Sequence, residues 1–262
     1  MESTVRIVVI GDIHTQEEKL WMMLYEAGLA SKEHAPTEQF LEEDTQLVLL
    51  GDLVHAKSRE RYGELTGVKR YDEYNPEHLG KAEKAQEGFL RRVKSYQEAL
   101  PTGKITILMG NHDFNAVSPG QGPLRTDDIS HLEWKEGYGN SLDNELRDWI
   151  LGWPYQEVIK GLHLAHVGPL ENHNTYDNGF YLENRRRWIY EEKDFLEGTP
   201  YRLGVYGHTP VRGGVNIASQ GRAILLDTNG YRDEYCFLDI TIGSDAFRLR
   251  MHGLFFDELV QR

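Results

Sequence analysis

Val5-Arg6-Ile7-Val8-Val9-Ile10-Gly11-Asp12-Ile13-His14 opens the chain with an apolar, largely β-branched run that stops at a glycine followed by two polar side chains. A run with so little polar alternation reads as a strand buried on both faces, the pattern of a parallel or mixed sheet covered by other layers. Residues 17–27 then carry helical spacing through Leu20, Met23, Leu24 and Ala27, and Gly28 supplies a stop. Leu47-Val48-Leu49-Leu50 before Gly51 and Ile105-Thr106-Ile107-Leu108-Met109 before Gly110 repeat the unit, with a predicted helix over 79–100 between them. Alternating strand, loop and helix point to an α/β fold, whose ligand crevices lie at the carboxyl ends of the strands.

The second half changes character. Residues 163–167, 203–206, 214–218, 223–226, 235–240 and 247–251 are short strand candidates punctuated by Gly204, Gly213, Gly214, Gly221 and Gly230, so a second sheet is expected. Residues 56–77 and 115–140 lack periodicity and are predicted as long surface loops. No linker divides the 262 residues, of which 39% are hydrophobic, so a single domain over 1–262 is expected. Cys236 is the sole cysteine, which excludes an internal disulfide or a cysteine-rich metal site and favours a cytoplasmic, reducing compartment. The beginning of the chain is too soon polar for a secretory signal, and no stretch is apolar enough to cross a bilayer. The formal charge of −13 argues against binding bulk nucleic acid or anionic membranes. The oligomeric state is not written in these residues, and apolar Leu254-Phe255-Phe256 suits packing on the body or on a second subunit equally well.

The chemistry-bearing residues sit where the strand runs end. Asp12 and His14 are two apart, so an extended backbone turns both side chains to one side, where they grip one ion. Asp52 offers a carboxylate able to bridge two cations, Asn111 adds an amide oxygen, and His166 and His208 add imidazoles. This mixed oxygen and nitrogen set suits manganese or iron, with zinc as the alternative, better than calcium or magnesium, for which imidazole is a poor ligand. Two cations roughly 3.5–4 Å apart can activate water against a phosphoryl group, so no protein nucleophile is needed. His112, beside Asn111, is the candidate general acid for the leaving group. Each short motif alone is more often a turn than a ligand, since Gly, Asn and Asp favour turns for backbone reasons. Their combination after successive apolar runs is what carries weight.

Those residues give the chain its resemblance to the calcineurin-like metallophosphoesterases, most of all to the branch of bacterial and phage serine/threonine phosphatases and diadenosine tetraphosphatases. The pattern is Asp12-x-His14, Gly51-Asp52, Gly110-Asn111-His112-Asp113, His166 after a strand, and Gly207-His208, in order between residues 11 and 210. The resemblance implies a four-layer α/β/β/α sandwich with mixed sheets. It also implies one metal held by Asp12, His14 and Asp52, a second held by Asp52, Asn111, His166 and His208, and His112 as the catalytic proton donor. In the related phosphoprotein phosphatases the second motif continues to an Asp and an Arg, where this chain has His55 and Ala56 in Leu53-Val54-His55-Ala56-Lys57. His55 is a candidate hydrogen-bond partner or substrate contact, with the surface as its plainer location. Lys57, Arg59 and the run Arg185-Arg186-Arg187 are candidate phosphate contacts, the arginines as bidentate forks, with a solvated helix face as the plainer account of the run.

The expected activity is metal-dependent hydrolysis of a phosphomonoester, the substrate being a phosphorylated small molecule, nucleotide or phosphoprotein. One alternative is a dinucleoside polyphosphate or phosphodiester hydrolase, for which the tyrosines of 62–74 are a candidate base-stacking surface. The other is a non-catalytic, metal-stabilised interaction domain.

Overall fold

The computed structural model describes residues 4–121, 124–125, 127–168, 196–211, 215–218, 221–228, 234–244 and 246–253. The opening run is strand β1 (Val5–Ile10), and it sits at the centre of a five-stranded sheet. Strands β2 (Thr45–Leu49) and β3 (Ile105–Ile107) extend that sheet on one side in parallel, with Val8 opposite Leu47 and Leu49 opposite Ile107. Helix α1 (Glu17–Glu26) follows β1 and ends where Gly28 turns left-handed at φ 75°. A short helix α2 (Glu38–Glu42), with Thr37 as its N-cap, leads into β2.

Between β2 and β3 the expectation of a bare surface loop over 56–77 is corrected. Helix α3 (Arg59–Thr66) lies there, capped by Ser58 at its start and ended by Gly67 at φ 69°. It has no apolar stripe, which is why periodicity misses it; its anchor is Tyr62, fully buried and stacked on Tyr71 at 4.5 Å. Tyr62 and Tyr71 are therefore closed to a nucleobase, and of the three tyrosines of 62–74 Tyr74 alone is exposed. Helix α4 (Pro76–Glu98) starts at Asn75 with Pro76 in its first turn and buries Leu79, Phe89, Leu90 and Val93 along one face.

Helix α5 (Asn111–Val117) begins directly after the third apolar run, and α6 (Asn144–Leu151) follows a long segment without described helix or strand. That segment is not purely surface, because Ser130, Leu132, Glu133 and Trp134 are buried. The second sheet contains β4 (Gln156–Ile159), β5 (Leu162–Ala165), β6 (Leu203–Tyr206), β7 (Asn216–Ala218) and β8 (Ala223–Leu225), in the spatial order β4-β5-β6-β8-β7. The last strands, β9 (Cys236–Ile242) and β10 (Phe247–Gly253), return antiparallel to the first sheet beside β1.

Both sheets are mixed, and they face each other across one apolar layer. Ile7, Val9, Val48 and Leu50 from the first sheet meet Leu164, Val205, Ile224 and Leu226 from the second. The other face of the first sheet packs its Val8, Ile10, Leu47 and Leu49 against Leu20, Leu24, Phe89, Leu90 and Leu146 of the helices. The result is an α/β sandwich of helices, sheet and sheet. Among the described residues no helix covers the outer face of the second sheet, where Tyr201, Tyr206 and Leu225 pack; residues 169–195 lie outside the description. No described helix is long and apolar enough to cross a membrane.

Candidate metal centre

The parallel strands β1, β2 and β3 end side by side, so the loops that leave them are neighbours before any side chain acts. The main chain then ties them together: Ile13 and His14 N–H both donate to the Asp52 carbonyl, at 3.1 and 2.8 Å. The Asp113 carboxylate accepts from the N–H groups of Asp52 (2.6 Å), Leu53 (2.9 Å) and Gly110 (3.2 Å), which shapes the turn presenting Asp52. Asp52 in turn accepts the His112 N–H at 2.9 Å, and Asp12 accepts the His208 N–H at 3.0 Å. Two glycines are dictated by this crowding: a Cβ on Gly110 would strike the Asp52 carboxylate, and one on Gly207 would strike that of Asp12.

The expected extended geometry at Asp12 and His14 is corrected. His14 has φ 47°, Asp52 φ 50° and His208 φ 62°, all left-handed values that cost free energy in non-glycine residues. The side chains nevertheless converge, because a tight left-handed turn rather than strand alternation aims His14 inward. His14 Nε2 lies 3.7 Å from Asp12 Oδ2 and 3.7 Å from Asp52 Oδ2. On the far side His166 Nε2 lies 3.3 Å from Asp52 Oδ2 and 3.1 Å from Asn111 Oδ1, while His208 Nδ1 lies 2.8 Å from the same Asn111 oxygen. Two groups of ligand atoms, His14 with Asp52 and His112, and Asp52 with His166 and His208, each fall within 4.8 Å. Asp52 belongs to both.

Ring orientation bears on whether this set fits a cation. His14 Nδ1 lies 3.2 Å from the Val54 carbonyl and 3.1 Å from that of His55, and His166 Nδ1 lies 2.8 Å from the Leu50 carbonyl. A nitrogen facing a carbonyl carries the proton, so each ring turns its Nε2 toward the carboxylates, the arrangement by which a second shell orients a metal-binding imidazole. Burial, and then Lys57, hold His14 well below the usual imidazole range, so its Nε2 is a lone pair aimed at carboxylate oxygens. Such a contact is repulsive between acceptors and attractive once a cation lies among them.

The carboxylates tell the same story. Burial, followed by Asp227 and Asp52, pushes Asp12 well above the usual range, because negative charge is crowded in a water-poor space. Burial acts likewise on Asp52, but the neighbouring imidazoles, His166 first, outweigh it and hold that carboxyl well below the usual range. Burial opposes charge on His166 too, yet Asp52 and Asp12 raise it to about 10, so a proton is held where a cation would sit. The six residues Asp12, His14, Asp52, Asn111, His166 and His208 therefore fit a metal by direction, by chemistry and by electrostatics.

His112 stands beside this set. Its ring is T-shaped to His14 at 5.0 Å, its Nε2 is 2.9 Å from Lys57 Nζ, and its Nδ1 is 3.0 Å from His55 Nδ1. Burial and Lys57 hold it well below the usual imidazole range. His55 itself is corrected from a surface or substrate-contacting residue: it is completely buried behind His112, where it faces protein on all sides. Arg59 pairs with Glu73, its Nε 3.2 Å from Oε2, so of these two candidates it is Lys57 that stands against His112. Arg185, Arg186 and Arg187, with Trp188, lie outside the described residues. His163 faces away from the cluster, between the Tyr206 hydroxyl and Gln156 at 2.9 Å each.

Two contributors escape a reading by motif. Asp113 has an obvious sequence signal, standing three residues into Gly110-Asn111-His112-Asp113, but its work is to build a turn rather than to face a ligand. Asp227 follows β8 as Asp12 follows β1, and that shared position after a buried apolar run is the clue; it acts on Asp12 from the second sheet. Lys19, buried on α1, donates to Thr228 Oγ1 at 2.6 Å nearby, and burial lowers it to about 8.

The sequence matches the family model described as calcineurin-like phosphoesterase over residues 5–237. The comparison with curated proteins gives no match. Among solved structures the chain is similar to a cold-active protein tyrosine phosphatase, with TM-score 0.53 and 16% identity over 94% of this chain and 78% of that one. A protein serine/threonine phosphatase from Saccharomyces cerevisiae is similar at TM-score 0.50 and 13% identity, covering 94% and 79%. A metallophosphoesterase from Sphaerobacter thermophilus is similar at TM-score 0.50 and 16% identity, covering 96% and 88%. At these identities the three structures speak to the fold.

Proposed function

The chain belongs to the calcineurin-like phosphoesterase family, a group of metal-dependent hydrolases, and from that premise we propose that it is a dinuclear phosphomonoesterase. The observation carrying this reading is the inward convergence of Asp12, His14, Asp52, Asn111, His166 and His208 on two adjoining points that share Asp52. Asp12, His14 and Asp52 would hold one ion, and Asp52, Asn111, His166 and His208 the other. The ligand chemistry favours manganese or iron, with zinc next. When bound, such a pair supplies water activation and neutralises charge at the phosphoryl group.

The chain's own residues supply the remainder. His112 serves the departing oxygen through Nε2, the edge of its ring that faces Lys57 and the site mouth, donating from that nitrogen once Lys57 has moved to the phosphate and Nε2 has taken up a proton from solvent. Lys57, only part-buried, offers an ammonium that can leave His112 for a phosphate oxygen, replacing the cation that the altered second motif lacks. The substrate is a phosphorylated small molecule, a nucleotide or a phosphoprotein, and the buried state of Tyr62 and Tyr71 favours the ester itself over a stacked base as what is recognised.

The test is hydrolysis of aryl phosphates with added manganese by wild type, Asp52→Asn and His112→Asn. Asp52→Asn loses metal and activity; His112→Asn keeps metal but loses turnover, most for poor leaving groups. Equal inactivity of all three proteins across several esters, with no metal bound, contradicts the reading.

A further inference from the structure

On the side of His112 away from Lys57, a file of buried polar groups runs inward. His112 Nδ1 meets His55 Nδ1 at 3.0 Å, and His55 Nε2 lies 3.8 Å from Glu133 Oε2, too far for a hydrogen bond. Gln86 fastens both ends of this pair. Its Oε1 accepts the His55 N–H at 2.7 Å, and its amide nitrogen donates to Glu133 Oε2. His55, Gln86 and Glu133 have no solvent exposure, and they come from the loop after β2, from α4 and from the segment between α5 and α6. Three distant pieces of chain thus bring polar side chains to one buried point behind a single ring.

The arrangement is costly in terms of folding alone. Among the described residues, His55 Nε2 has no hydrogen-bond partner. An unsatisfied buried polar group destabilises the fold, and apolar residues of similar shape would remove that cost. The donors and acceptors nevertheless read in one direction. Lys57 has only protons to give, so His112 Nε2 accepts at 2.9 Å and the His112 proton sits on Nδ1. His112 Nδ1 then donates to His55 Nδ1, which places the His55 proton on Nε2, aimed at the Glu133 carboxyl.

We propose that His55 and Glu133 are positioning residues for His112: His55 fixes the plane and rotation of the His112 ring through Nδ1, and Glu133, held by Gln86, fixes His55. The inference rests on the reading of His112 as proton donor to the leaving group. Neither residue reaches the site opening, so neither touches substrate. Their contribution appears in how well His112 is aimed, which affects turnover where the leaving oxygen needs its proton and hardly affects binding.

The experiment combines kinetics with nitrogen spectra of the histidine rings. In zinc-exchanged protein labelled with 15N-histidine, wild type shows the His112 proton on Nδ1 and the His55 proton on Nε2, and His55→Phe loses the His112 pattern. With phenyl phosphate, a poor leaving group, His55→Phe and Glu133→Leu lower kcat at least about tenfold while KM stays within about twofold and metal content is unchanged. The loss is several-fold smaller with p-nitrophenyl phosphate, and Glu133→Gln recovers most of the rate lost in Glu133→Leu. Equal losses on both esters, rates near wild type in both variants, or His112 and His55 protons on the opposite nitrogens would overturn the assignment. Should Glu133→Leu fail to fold, the spectra of wild type and His55→Phe decide. A wild type that hydrolyses no ester contradicts the proposed function instead, and the spectra then judge the positioning by themselves.

Discussion

The two ligand groups that share Asp52 are built in different ways. Asp12, His14 and Asp52 come from loops leaving β1 and β2, adjacent parallel strands of one sheet, and those loops are fastened by main-chain hydrogen bonds to each other and by Asp113 to the loop after β3. His166 and His208 leave β5 and β6 of the second sheet and reach Asp52 and Asn111 across the interface. The first group depends on strand register within a sheet; the second depends on how two sheets pack. One carboxylate joins them, so the pair is coupled through Asp52 even though the supporting structure is not.

The strongest way to break the comparison is at the shared residue. Asp52→Asn is expected to empty both positions and to lower activity by about three orders of magnitude, measured by elemental analysis and by aryl phosphate turnover. Retention of one ion would mean that the groups are independent. Next in size, Leu164→Ala opens a cavity between the sheets and costs about 2–5 kcal/mol in denaturant unfolding. It should weaken the second metal position while sparing the first, whereas Leu90→Ala, a comparable loss under the helices, should weaken neither selectively.

A smaller effect probes the buried polar support behind the first group alone. Burial, with Glu83 and Asp128 nearby, raises Glu133 to about 8, so the folded protein keeps a proton that the unfolded chain releases above its ordinary value near 4.5. Stability from this group is full below the unfolded value and falls as pH rises through 8. Glu133→Gln removes that dependence, so its stability relative to wild type should climb between pH 5 and pH 8 by up to about 3 kcal/mol. A pH-independent difference in denaturant midpoints would show Glu133 to be ionised in the folded state. Smallest, Lys57→Ala is expected to raise KM about tenfold with modest change in kcat, checked by steady-state kinetics on a simple phosphate monoester. A loss confined to kcat would assign Lys57 to the chemical step.

How much of this could be read in the sequence follows the same division. β1, β2 and the glycine loops after them announce themselves because strands buried on both faces leave uninterrupted apolar runs, and the ligands stand directly after them. The pairing of β9 and β10 with β1 is invisible locally, since a strand's partner is set by the whole chain. Helix α3 escapes because it buries little besides Tyr62 and relies on caps at Ser58 and Gly67. β4 escapes because its half-exposed residues follow no clean alternation. His55 and Glu133 lie in stretches that read as polar loop, and only the fold reveals that both are enclosed. The left-handed turns at His14, Asp52 and His208 likewise arise from the crowding of neighbouring loops.

Anomalous diffraction from crystals grown with manganese tests most directly the claim that these side chains form one site for two ions. The account predicts two peaks roughly 3.5–4 Å apart. Asp52 should lie between them, with His14 on one and His166 and His208 on the other. A single peak, or ions bound away from Asp52, would contradict it.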